Sequence, residues 1–139
     1  MSSLSRVADR PTWLLSRANA RAQALLAEAF AQAGVRGYHF RVLAALEQHG
    51  PSSQAEISRL TGIDRSDVVA TVNDLSEWGL VVRSRDDDDR RRNVITPTEA
   101  GMARLEDLDA LLTRVQAAVL APLTSRERTT LIRLLGKIA

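Results

Sequence analysis

Apolar residues recur along most of this chain in steps of three and four. Trp13, Leu14, Ala18, Ala22, Leu25, Ala29 and Phe30 follow Pro11 at helical spacing until Gly34 and Gly37 interrupt them. Val42, Leu43 and Leu46 mark a second helix from about Tyr38 to His49, closed by Gly50-Pro51. Ser53 and Glu56 have capping-box spacing and open a short helix with Ile57 and Leu60 inward, ended by Thr61-Gly62. Asp64 is placed to cap the next helix, whose inward positions are Val68, Val72 and Leu75, with Trp78 and Gly79 at its end.

The period then changes from helical to alternating. Leu80 to Arg85 and Asn93 to Thr96 read as two short strands of a hairpin, joined by the acidic-basic stretch DDDDRRR. In TPTE, Thr96 is the expected cap, Pro97 the first helical residue and Glu99 the capping-box partner. Met102, Leu105, Leu108, Leu112, Val115 and Val119 continue from there to Pro122. About 24 residues at about 1.5 Å each give a helix of roughly 36 Å, longer than a small core can cover. Thr124 and Glu127 cap a last helix bearing Leu131, Leu134, Leu135 and Ile138. The two chain ends therefore carry apolar helical surface that a lone subunit leaves exposed, and a two-fold homodimer resolves this.

Composition limits the chemistry further. A chain of 139 residues with 45% hydrophobic and 26% charged residues can bury one good core. It has no cysteine, which excludes disulfides, thiolate nucleophiles and thiol redox sensing, and its two histidines, His39 and His49, leave little for a metal site. No apolar run suggests a membrane span or signal peptide, so a cytoplasmic protein is expected. The net charge of +2 does not announce nucleic-acid binding, but Lys137 is the only lysine. The positive charge is thus almost all guanidinium, which pairs in a planar fork and enters narrow grooves. No nucleophile elbow, phosphate-binding glycine loop or metal-ligand cluster is present, so neither an enzyme nor a cofactor is expected.

The order of helix, capped short helix, glycine turn, second helix and hairpin resembles a winged helix-turn-helix. With helices flanking it at both ends, the chain from about Pro11 to Ala139 is similar to the MarR family of bacterial transcription regulators. The resemblance is carried by GIDRSDVV, by LSEWGLVVRSRDDDDRRRNVIT, in which Asp89-Arg90-Arg91 matches the family's Asp-x-Arg wing element, and by TEAG. It implies a mainly α fold with a small β-hairpin wing, a DNA-binding lobe over 38–96, and dimerisation helices over 11–33 and 97–139. It also implies recognition helices in successive major grooves of double-stranded DNA with wing arginines in the flanking minor grooves. The function implied is sequence-specific regulation, as a dimeric repressor of palindromic operators released by a ligand. The alternative is an architectural or protein-interaction winged-helix dimer, which the modest charge and acidic wing suit.

Specific residues follow. Asp89 is expected to fix the Arg91 guanidinium as a minor-groove reader, with Arg90 and Arg92 meeting phosphates. Asp86, Asp87 and Asp88 either form the turn or offset the arginines against nonspecific binding. Arg65, Ser66, Asp67, Ala70, Thr71 and Asn73 fall away from the Val68/Val72/Leu75 stripe and are candidates to face a major groove. Many family members carry a threonine where Asp67 stands and polar or basic residues near Val69 and Ala70. Asp67 either accepts from a cytosine amino group or complements the helix dipole. Ser53 and Gln54 are candidate phosphate contacts, Ser53 being alternatively a plain cap, and Arg83 and Arg85 either touch DNA backbone or form an exposed strand face. The family's phenolic or anionic ligands point by position to Trp13, Arg17, Tyr38, His39 and Arg41, whose alternative is ordinary core packing.

Overall fold

A computed structural model of the chain describes residues 4–139. Six helices and three short strands follow one another: α1 (Pro11–Gln32), α2 (Gly37–His49), β1 (Ser52–Ser53), α3 (Gln54–Thr61), α4 (Arg65–Glu77), β2 (Val81–Arg85), β3 (Asn93–Pro97), α5 (Glu99–Val119) and α6 (Ser125–Ile138). The contacts divide the chain into two units, Phe30–Ala110 and the chain ends up to Ala29 with Leu111–Ala139.

The central unit has its own core. Val42, Leu43 and Leu46 of α2, Ile57 of α3, Val68, Val72 and Leu75 of α4, Val81 and Ile95 of the strands and Leu105 of α5 are all buried and packed together. Each such side chain contributes about 1.5–3 kcal/mol by leaving water. The hairpin is antiparallel, with Val81 opposite Pro97 and Arg85 opposite Asn93. A third strand that the sequence pattern does not mark, β1, pairs with the other side of β3 through Ser52 opposite Ile95 and Ser53 opposite Val94. The sheet order is β1-β3-β2, so the wing is anchored at its base to the start of α3.

The start of α5 differs from expectation. Thr96 and Pro97 belong to β3, and Thr98 takes the capping role, its Oγ1 accepting from the Gly101 backbone N–H at 3.0 Å. The same hydroxyl donates to the Gly79 carbonyl at 2.7 Å, and the Thr98 N–H donates to the Leu80 carbonyl at 3.0 Å. Pairing of Thr96 with Val82 across the sheet claims the residue that local spacing alone assigned to the helix. The glycine of TEAG is a steric requirement, because a Cβ at Gly101 would lie 2.0 Å from the Leu80 carbonyl oxygen.

The unit formed by the chain ends is different in character. Arg21 closes the end of α5 by donating to the Val119 and Ala118 carbonyls at 3.0 and 3.3 Å. Arg128 braces the α5–α6 corner through Leu120 and Leu123, and Thr124 and Glu127 form the expected capping box on α6. Yet α6 buries none of its side chains, and Leu14, Leu15, Ile132, Leu134 and Ile138 are all exposed. Among the described residues no helix is long and apolar enough to cross a membrane.

Candidate nucleic-acid interface

The turn between α3 and α4 is fixed by local bonds. Gly62 has φ 71°, the left-handed region, and its N–H donates to the Ser58 carbonyl. The Ser58 hydroxyl reaches the Ile63 carbonyl at 2.6 Å, and the Thr61 hydroxyl donates to the Ile57 carbonyl at 2.6 Å while accepting from the Ile63 N–H. Buried Ile57, Ile63 and Val68 close the angle from inside.

On α4 the outer face carries Arg65, Ser66, Asp67, Val69, Ala70 and Asn73, all exposed. Thr71 is a correction: it is fully buried, and its hydroxyl donates to the Asp67 carbonyl at 2.7 Å, so it cannot face a groove. It lies three residues after Val68 and four before Leu75, a spacing that places it in the stripe, and its polarity is satisfied by its own helix. Asp64 precedes the helix without capping it by side chain and accepts instead from the Ser66 hydroxyl at 2.6 Å. Val69, 41% exposed, is an apolar side chain on this face suited to a thymine methyl.

The wing tip is folded by its aspartates. The Asp86 N–H donates to the Arg92 carbonyl, and the Arg92 N–H to the Asp89 carbonyl. Asp86 Oδ1 accepts from the Asp88 backbone N–H at 2.9 Å, and Asp89 Oδ1 from the Arg91 backbone N–H at 3.0 Å. These are two successive Asx turns. The expected pair between Asp89 and the Arg91 guanidinium is therefore corrected to a bond with the Arg91 main chain. A backbone donor two residues away orders fewer torsions than a long side chain does. Asp89 shapes the loop that presents Arg91.

Two wing arginines are tied inward. Arg83 donates to Asn73 Oδ1 on α4, and Arg92 pairs with Glu56 on α3. Glu56, which sequence reasoning used only as a cap, also accepts from the Ser53 hydroxyl at 2.9 Å and from its N–H at 3.4 Å. These Ser53 donors hold the Glu56 carboxyl below its ordinary value, with the Arg92 guanidinium adding to the effect against slight desolvation. A depressed value means that this stabilisation is complete above pH 4.5 and is lost as pH falls through the lower folded value. Glu56→Gln is accordingly expected to reduce the dependence of stability on pH below about 4.5, checked by urea unfolding across that window; an unchanged dependence would refute the assignment. Ser53 is 5% exposed and committed to this box, which removes it from the phosphate contacts, whereas Gln54 begins α3 half-buried. Arg65, Arg85, Arg90 and Arg91 are exposed, and their guanidinium groups have no hydrogen-bond or ion-pair partner among the described residues.

The candidate ligand residues fall into separate groups. The Arg17 guanidinium lies 5.7 Å from the Trp13 ring in the unit of the chain ends. In the central unit Arg41 lies 5.6 Å from the Tyr38 ring and reaches the Thr61 carbonyl at 3.4 Å. A cavity of about 200 Å³ next to Arg41 is lined by Ala44, Ala45, Gln48, His49, Leu60 and Thr61, smaller than the roughly 300 Å³ at which ligand pockets begin. His39 is 2% exposed and serves the core: Nδ1 accepts from the Arg36 N–H at 2.8 Å and Nε2 meets Asp74 Oδ2 at 2.9 Å. That geometry corrects its expected place in a ligand pocket, because both ring nitrogens are already used.

Comparison with known proteins is consistent across sequence and structure. Residues 33–92 match the model of the MarR family. The chain is 30% identical over 132 residues to the HTH-type transcriptional repressor NicR of Pseudomonas putida, covering 95% of this chain and 84% of that one. It superposes with TM-score 0.80 and 34% identity on the crystal structure of a probable transcriptional regulator from Pseudomonas aeruginosa, over 94% of this chain and 98% of the other. With TM-score 0.78 and 27% identity it is similar to BpsR of Bordetella bronchiseptica, over 94% and 93% of the two chains, in a structure described as the mechanism for regulation of its DNA binding by 6-hydroxynicotinic acid.

Proposed function

The chain belongs to the MarR family of transcriptional regulators, and from that premise we propose that it is a homodimeric, sequence-specific repressor that binds palindromic operators in the cytoplasm and is released by a small-molecule ligand. One observation carries the reading. Arg65 at the start of the recognition helix and Arg85, Arg90 and Arg91 of the wing are left unpaired on a lobe whose other wing cations are tied down. A guanidinium is costly to order without a partner, and phosphate or a narrow minor groove supplies one.

The dimer is supported by the apolar surface of α1 and α6, where Leu14, Leu15, Ile132, Leu134 and Ile138 are 41–69% exposed. A second copy covers that surface, and two-fold symmetry then sets the recognition helices to half-sites about 34 Å apart. A ligand that binds one spacing better than another shifts the population between them. Regulation of BpsR by 6-hydroxynicotinic acid makes a small aromatic acid the ligand class to test first, with the Arg17–Trp13 pair of the chain-end unit and the Arg41–Tyr38 pair of the central unit as two separate candidates for a cation and ring that suit it.

The test is selection of bound fragments from genomic DNA of the source organism at physiological salt. Enrichment of a short inverted repeat is expected; retention without sequence preference would favour an architectural role instead. On the selected site, Arg91→Ala is expected to weaken binding by at least about 10-fold, since each half-site of the dimer loses a groove contact of about 1–3 kcal/mol, with unchanged sedimentation. Equal affinity of variant and parent at several salt concentrations would remove Arg91 from the interface.

A further inference from the structure

We infer that Glu56 is a specificity-determining residue of the DNA-binding lobe: by holding Arg92 against α3 it keeps one wing guanidinium from contacting phosphate indiscriminately. The inference rests on the DNA-binding reading above and deepens it.

The geometry is that of a weak, reversible latch. Glu56 is the third residue of α3 and its carboxylate is oriented by the Ser53 capping box, so it stands at a fixed place rather than sampling many rotamers. Arg92 is the last residue of the wing tip, held there by its own N–H to the Asp89 carbonyl and by its carbonyl to the Asp86 N–H. The two side chains meet across 36 residues of sequence, joining the tip of the wing to the helix that precedes the recognition helix. Both are part-exposed, 47% and 41%, so water and phosphate oxygens can reach the pair and compete for the guanidinium. An exposed pair of this kind is weak enough to be opened by a well-placed phosphate and strong enough to discourage a poorly placed one.

The carboxylate acts on DNA in two ways. It occupies the cation, and its own charge lies beside the path a phosphate would take to Arg92. Both effects penalise loosely docked, sequence-independent complexes, in which each phosphate contact contributes the same electrostatic gain. Arg90 and Arg91, unlatched on the same loop, retain their reach. Arg92 is thereby assigned to shaping the wing, and the phosphate role expected for it is subject to Glu56.

The experiment measures binding of the full chain to a random-sequence duplex and to the selected operator by fluorescence anisotropy over a series of salt concentrations. The variants are Glu56→Gln, Arg92→Ala and the two together. Glutamine keeps the capping box, since its amide oxygen still accepts from Ser53, and weakens the hold on Arg92 by removing the charge from the oxygen that both residues share. Loosening Arg92 is expected to steepen the salt dependence on random duplex by about 0.9 in log–log slope for each wing of the dimer that gains a phosphate contact, about 1.8 for both, and to raise affinity there about five-fold per added contact near physiological salt. The gain on operator is expected to be smaller, so the ratio of specific to nonspecific affinity falls. In the Arg92→Ala background the Glu56→Gln change is expected to leave the salt slope unchanged and to raise affinity far less than in the parent. An unchanged slope for Glu56→Gln in a parent that binds DNA overturns the latch alone, and an equal gain in the Arg92→Ala background overturns it by showing a general charge effect. A parent that binds neither duplex overturns the DNA-binding reading and this inference with it.

Discussion

Gly101→Ala is expected to destabilise the protein by at least about 3 kcal/mol, at the upper end of what overpacking costs. Two effects oppose each other at this position. Gly101 lies inside α5, where alanine is intrinsically preferred to glycine by about 1 kcal/mol. If nothing were near, the substitution would stabilise. The added Cβ, however, would lie 2.0 Å from the Leu80 carbonyl oxygen and 3.0 Å from its carbon, backbone atoms that cannot rotate away. Relief needs a displacement of the first turn of α5 from the entry to β2. That displacement strains the Thr98 N–H bond to Leu80 and the Thr98 hydroxyl bond to Gly79, the two contacts that seat the helix on the wing. Steric overlap therefore wins over propensity. Thermal unfolding at fixed protomer concentration checks this, with a fall in midpoint of roughly 10 °C expected from about 2–8 °C per kcal/mol over this size range. An alanine variant as stable as the parent would mean that the close approach does not exist.

The same junction shows what local sequence signals carry and what they omit. Capping boxes at Ser53/Glu56 and Thr124/Glu127 and the glycine turn at Gly62 involve residues within five of one another, so spacing alone located them. At the start of α5 two threonines lie two residues apart, each followed by plausible helix-opening residues. Only the pairing of Thr96 with Val82 decides that Thr98 is the cap. The two-residue strand Ser52–Ser53 has no alternation to detect, and it exists because β3 offers an edge. Within the candidate interface, the outer positions of α4 are legible from the helical period except Thr71, expected apart from the Val68/Val72/Leu75 stripe although its spacing from Val68 and Leu75 puts it there, buried. The Asx turns at Asp86 and Asp89 were open to sequence reasoning because they span two residues each. The Arg92–Glu56 and Arg83–Asn73 contacts were not, since each joins elements whose approach is set by the whole lobe.

His39→Ala is expected to cost about 2–4 kcal/mol of stability, through a cavity and the loss of two hydrogen bonds, and to lower operator affinity beyond what the stability loss explains. The Arg36 N–H points at Nδ1 from 2.8 Å, so that nitrogen must carry a lone pair, and the ring proton resides on Nε2, facing Asp74 Oδ2 at 2.9 Å. The ring also packs against Trp78, centroid to centroid 4.7 Å. One buried imidazole thus closes the first turn of α2 and holds Asp74, a residue of the recognition helix, and the wall behind it is the residue that ends that helix. Two substitutions separate these duties. Asparagine at 39 can offer its amide oxygen to the Arg36 N–H but does not reach Asp74, whereas glutamine can donate to Asp74 and leaves Arg36 without its acceptor. Both are expected to lose less stability than alanine. Only the glutamine variant is expected to keep near-parent affinity for the operator relative to its folded fraction, because only it retains the tie to α4. If asparagine and glutamine variants bound the operator equally well, His39 would be a helix cap with no part in setting the recognition helix.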